Sequence, residues 1–130
     1  MKRTSTLGFG LVAVFLTGAC RDARESELPG RYLVKTPWGE SSLNLRSDHT
    51  FVQDARLRSG EAKSLSGKWE FRNSFLSMKP CMVFEHGSEG TVTNLCGGGV
   101  EVTGLDHVEI SLDPDSGLAY EKIKTTSSHQ

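Results

Sequence analysis

From Gly30 onward the chain is built of short segments in which apolar residues recur at every second position, and this period decides what it can fold into. Tyr32 and Val34 share a phase, as do Leu43 and Leu45, Leu76 and Met78, and Met82 and Phe84. Trp69 and Phe71 alternate with Lys68, Glu70 and Arg72. Val108, Ile110 and Leu112 alternate with Glu109 and Ser111, and Leu118 and Tyr120 begin the last run. Successive side chains on a strand point to opposite faces, so each segment predicts a strand with one face buried. Residues that favour turns separate the segments: Ser47-Asp48, Asn73-Ser74, His86 to Gly90, Cys96 to Gly99, and Asp113 to Gly117. About eight strands so spaced predict an all-β antiparallel meander, closed as a barrel or folded as a sandwich. Arg58 to Ser64 breaks the alternation for longest and is expected to be a flexible loop. Residues 125–130 are expected to fray.

The β-domain therefore occupies residues 30–124, and what precedes it has a different composition. Lys2 and Arg3 are followed by an apolar core from Leu7 to Leu16 and then by the small residues Thr17-Gly18-Ala19. Positive start, apolar core and small residues, in that order, predict a secretory signal over residues 1–19. The core is about half the ~20 apolar residues that a membrane-spanning helix needs. Arg21 to Leu28 mixes charges and is poor in apolar residues, so residues 20–29 read as a tether before the turn at Pro29-Gly30. Eight such residues, fully extended, reach ~26–29 Å.

Leu16-Thr17-Gly18-Ala19-Cys20 resembles the lipobox of bacterial lipoproteins, in which the cysteine is lipidated on sulfur and becomes the first residue of the mature chain. Thr17 stands where that family most often has Leu. Ordinary cleavage after Ala19 also leaves Cys20 first. The resemblance implies a protein held in the cell envelope by acyl chains on Cys20. In well-studied lipoproteins an Asp directly after the lipidated cysteine favours the inner membrane. Arg21 holds that place here, which implies the outer membrane, facing the periplasm.

The thiols fit this reading. Of Cys20, Cys81 and Cys96, lipidation consumes the first and leaves a pair. An oxidising compartment then predicts a Cys81–Cys96 disulfide rather than two reduced, buried cysteines. A closed loop of about 15 residues would be worth ~3 kcal/mol on the chain-entropy model. Losing the signal takes 19 of the 130 residues and leaves 111, one domain. Without Lys2 and Arg3, 13 basic residues face 16 acidic ones, a balance of −3 that carries no footprint for nucleic acid.

A second, weaker resemblance covers about half the mature chain. Gly30-x-Tyr32, Leu43-x-Leu45-x-x-Asp48-x-Thr50-Phe51, Gly67-x-Trp69 and Leu76-x-Met78-x-Pro80 are similar to a pattern of small lipocalin-like bacterial lipoproteins, with His49 where Gly is usual. It implies hairpins and a core tryptophan, and so fold rather than function.

For chemistry the sequence offers three acid–histidine neighbours: Asp48-His49, Glu85-His86 and Asp106-His107. A carboxylate that orients an imidazole suits a general base or a metal ligand. Neighbours on a strand face opposite ways, however, and no HxH, HxxxH or CxxC spacing is present. Gly87-Ser88-Glu89-Gly90 is not a nucleophile elbow, and Gly67-Lys68 lacks the spacing of a phosphate loop. No catalytic residue, metal site or cofactor is predicted. The expectation is a lipid-anchored binding or interaction module that meets a small apolar ligand or an envelope protein. Arg58–Ser64 and Gly97–Gly99 are its candidate contact loops. The other class is an envelope hydrolase or metal-dependent enzyme using His49, His86 or His107 with nearby carboxylates. Histidines gathered in one pocket would favour that class, and scattered ones would end it.

Overall fold

A computed structural model describes residues 21–84, 91–104, 106–113 and 118–124. Cys20, the segment 85–90 with His86, the loop 114–117 and the tail 125–130 lie outside the described residues.

The chain is all-β, as the alternation predicts, and the choice left open between barrel and sandwich falls to a barrel. Its strands are β1 (Arg21–Asp22), β2 (Gly30–Thr36), β3 (Gly39–Leu45), β4 (Thr50–Leu57), β5 (Ala62–Arg72), β6 (Phe75–Lys79), β7 (Cys81–Val83), β8 (Thr91–Thr93), β9 (Cys96–Thr103), β10 (His107–Asp113) and β11 (Leu118–Lys122). Strands β2 to β6 form an antiparallel meander, β6 pairs with β9, and β10 and β11 lead back to β2. Eight strands thus close the wall, which leaves it no open edge to aggregate. β7 and β8 form a separate hairpin.

Phase along each strand assigns the inside. Tyr32, Leu43, Leu45, Phe51, Trp69, Leu76, Met78, Val100, Val102, Val108 and Ile110 are all buried and form one core. Asn73 and Ser74 both take left-handed conformations (φ 50° and 62°), the two-residue turn that matches the twist of a hairpin.

Two expectations are corrected. Cys96 to Gly99 is not a loop but the first half of β9, paired with β6 on one side and, from Gly99, with β10 on the other. Its glycines mark crowding. A Cβ on Gly97 would lie 2.3 Å from the Phe75 ring, and one on Gly98 would lie 1.7 Å from the Ser111 carbonyl oxygen. Only glycines let the wall close there. Arg58 to Ser64 is likewise no long loop, because β5 begins at Ala62 and only a short turn remains. That turn is held by Arg58 N–H donating to Trp38 O and Leu57 N–H donating to Glu61 O.

The tether is also more structured than its composition suggests. β1 pairs with β9 beyond the end of β6, a 3₁₀ turn follows at Glu25–Glu27, and Ala23 and Leu28 are buried. The segment caps the lower end of the barrel, where the β3–β4 and β5–β6 turns lie. Tyr32 Oη donates to Leu28 O (2.6 Å), and Lys122 Nζ donates to Glu27 O (2.7 Å). Arg21 grips the Glu27 carboxylate through its two terminal guanidinium nitrogens (2.8 and 2.7 Å), and the Arg24 N–H adds a third bond at 3.0 Å. The Arg21 hydrogen bonds, more than the Arg24 amide, pull the Glu27 carboxyl from an ordinary 4.5 down to about 2. A depressed carboxyl stabilises fully above its unfolded value and loses that contribution as pH falls through its folded value. Wild type and Glu27→Gln are therefore expected to differ in urea midpoint at about pH 6 and to converge as pH falls from about 4.5 to about 2. A difference that stays constant across that window would remove Glu27 from the account.

Candidate functional site

Four places on this scaffold combine polar groups in a way that chemistry or binding can use, three set by strand phase and one by a turn. The first lies inside the barrel. Gln53 falls in phase with Phe51, Ala55 and Leu57 and is fully buried. Its amide pairs with the backbone of Met82, Nε2 donating to Met82 O (2.9 Å) and Met82 N–H donating to Oε1 (2.8 Å). Nε2 also donates to Tyr120 Oη (3.0 Å), which donates to Ser41 Oγ (2.9 Å), which donates to Asp54 O (3.0 Å). Burial pushes the Tyr120 hydroxyl up, against the pull of Ser41 and Gln53, and keeps it neutral.

This network seats the β7–β8 hairpin in the upper mouth of the barrel. Met82 and Phe84 pack there on Ala55 and Leu57, with Trp38 and Leu65 alongside. Cys81 and Cys96 form the predicted disulfide, which ties the plug to the start of β9. Among the described residues, the space inside the wall is taken by the core below and by this plug above.

The second place surrounds His49. The 46–49 turn closes with His49 N–H donating to Arg46 O, and Asp48 accepts from the Thr50 N–H and hydroxyl. His49 takes φ 67°, where a Gly would carry no steric cost. Stacking on Trp69 (ring centroids 4.3 Å apart, planes 10° apart) and a contact of Nε2 with the Glu25 carboxylate at 3.2 Å compensate. Trp69 is only 1 % exposed and donates Nε1–H to Arg46 O (2.9 Å), so it is core and not a surface for stacking a ligand.

The third is on the outer wall. His107 Nε2 lies 3.0 Å from Glu109 Oε1, two residues along the same face of β10, and Glu121 on β11 stands directly opposite Glu109. Neither described histidine is oriented by the acid before it: Asp48 binds Thr50, and Asp106 pairs with Lys124 at 3.5 Å. Strand alternation does not decide either case, because Asp48 and His49 lie in a turn and Asp106 precedes β10. His49 lies in the β3–β4 turn and His107 at the start of β10, separated around the wall by β11, β2 and β3. Gathered histidines were the condition for the hydrolase class, and these two do not meet it. Farther round, the outer face of β2 to β5 forms a groove of about 460 Å³ edged by Arg31, Glu40, Asp54, Arg56, Lys63 and Ser64.

Sequence reasoning missed Gln53, although its phase between Phe51 and Ala55 was a usable signal for a polar group inside. Of the two contact loops it proposed, Gly97–Gly99 is wall, and Lys63 and Ser64 of the other line the groove from strand β5. Compared with known proteins, the chain matches no family model, no curated protein and no solved structure.

Proposed function

We propose that the protein is a lipid-anchored module of the bacterial cell envelope that binds through its outer wall. The observation that carries this reading is the plugged barrel. With Met82 held in the mouth by Gln53, recognition falls to the exterior, and the roomy concavity there is polar and carries both charge signs. That favours an envelope partner with exposed charged groups over a small apolar ligand.

The lipobox-like Leu16–Cys20 supplies the anchor. Cys20 directly precedes β1, which is docked on β9 at the lower rim, so acyl chains on it would hold the barrel by that rim with almost no spacer. The plug would then face away from the membrane and the groove would lie along the side. A single acyl chain binds a membrane only marginally, whereas the several chains typical of lipoproteins hold it stably. Outer-membrane residence follows from Arg21 after the lipidated cysteine.

Intact mass, measured on protein made with its own leader in a Gram-negative host, tests the anchor. The expected species begins at Cys20, carries acyl mass and gains two protons on reduction of Cys81–Cys96. A chain that retains residues 1–19, or an unacylated chain from Cys20, would overturn the anchoring.

A further inference from the structure

The register of the barrel wall sets carboxylates side by side. Glu101 on β9 is directly opposite Glu109 on β10, Glu109 is opposite Glu121 on β11, and Asp22 on β1 is opposite Glu101. Like charges directly opposite on neighbouring strands repel. Among the described residues, no Lys or Arg pairs with the side chain of any of these four; Lys124, nearby in sequence, is engaged with Asp106. One member of the group is not acidic. His107 shares its face with Glu109, and one donor atom from each of His107, Glu109 and Glu121 lies within 4.8 Å of the other two.

We infer that His107, Glu109 and Glu121 form a binding site for a divalent transition-metal ion on the outer wall of the barrel. The donor set selects the class. An imidazole with two carboxylates suits zinc and its first-row neighbours, whereas calcium and magnesium prefer shells of oxygen alone. Spacing supports it too, because residues i and i+2 on a strand project together, so β10 offers a nitrogen and an oxygen without distortion. The third ligand comes from the adjacent strand of a closed wall, which fixes its position. His107 and Glu109 are partly exposed and Glu121 is exposed, so the remaining coordination positions open to solvent and admit water or a ligand from another molecule. The bound ion would take the place of the contact between His107 Nε2 and Glu109 Oε1 and would neutralise the repulsion along the row. The site is independent of the anchor and of the groove on β2 to β5.

Calorimetric titration of the untagged purified protein with zinc, in chelator-treated buffer at neutral pH, tests the assignment. Cobalt absorption serves as a second readout of the ligand set. The expected result is saturable uptake of one ion per chain, with a raised melting temperature. His107→Ala and Glu121→Gln should each weaken uptake at least about tenfold, the loss typical even of outer-shell changes at metal sites. His49→Ala should leave it unchanged. All three positions are solvent-facing, and melting without metal verifies that the variants fold. Absence of saturable uptake would overturn the inference, as would uptake that survives both substitutions or falls equally in His49→Ala.

Discussion

Gln53→Leu is expected to loosen the plug and to destabilise the whole domain by about 3 kcal/mol or more. Leucine matches the volume of glutamine closely enough that packing is not the issue. What changes is that the N–H and C=O of Met82 lose their partners (2.8 and 2.9 Å) while still buried. Each buried backbone group left without a partner costs roughly 1–3 kcal/mol. Tyr120 keeps its bond to Ser41 and limits the damage on that side. The Met82 amide should then exchange with solvent faster than its neighbours on β4, because the hairpin can lift while the wall stays shut. Reduction of Cys81–Cys96, which on its own releases a 15-residue separation and costs about 3 kcal/mol, should add less than its full effect in this variant. Both changes free the same segment, and changes that share a partner do not add. Urea unfolding and amide exchange read the two parts of the prediction. A variant within about 1 kcal/mol of wild type, with Met82 still protected, would mean that the network does not hold the plug.

The same residue shows where the sequence speaks and where it falls silent. Alternation is a local property, so β2, β3, β6 and β10 could be read directly from pairs such as Tyr32 and Val34 or Leu76 and Met78. It did not reach the described acid–histidine neighbours, whose acids are taken by Thr50 and Lys124 in turns where alternation does not apply. Register is not local. That Glu121 faces Glu109, or that Gln53 reaches Met82, depends on how many residues each turn consumes, and composition does not encode that. Glycine misled for a specific reason. A run of three reads as a loop by conformational freedom, yet in β9 two of them are required by what lies against them: the Phe75 ring and the Ser111 carbonyl. Residues 21–28 misled for another. Their docking depends on Ala23 and Leu28, too few and too far apart to show a period, and on a carboxylate clasp between Arg21 and Glu27. Mixed charge looks the same in the sequence whether it is solvated or paired.

Trp69→Ala is expected to cost about 3–5 kcal/mol, the range for removing a large aromatic side chain from a packed core. Small domains have about 5–15 kcal/mol in all, so the variant would be marginal at 37 °C. Trp69 is among the largest fully buried side chains and lies in the core with Tyr32, Phe51, Leu45 and Met78. Its removal leaves a cavity bounded by paired strands, which cannot collapse freely to fill it. The Arg46 carbonyl loses the indole N–H but sits in an exposed turn where water replaces it, so that loss adds little. His49 makes the comparison decisive. It touches the same indole face from outside, and His49→Ala forfeits the stack and an exposed pair with Glu25, together worth about 1 kcal/mol. Far-UV circular dichroism followed through urea should therefore show a large shift for Trp69→Ala and a small one for His49→Ala. Equal small shifts would mean that the indole is peripheral to folding, and Trp69 would return to consideration as a residue kept for contact with a ligand. The burial of the ring and its bond to Arg46 argue for the first outcome: the strand that carries Trp69 uses it to hold the lower half of the barrel together.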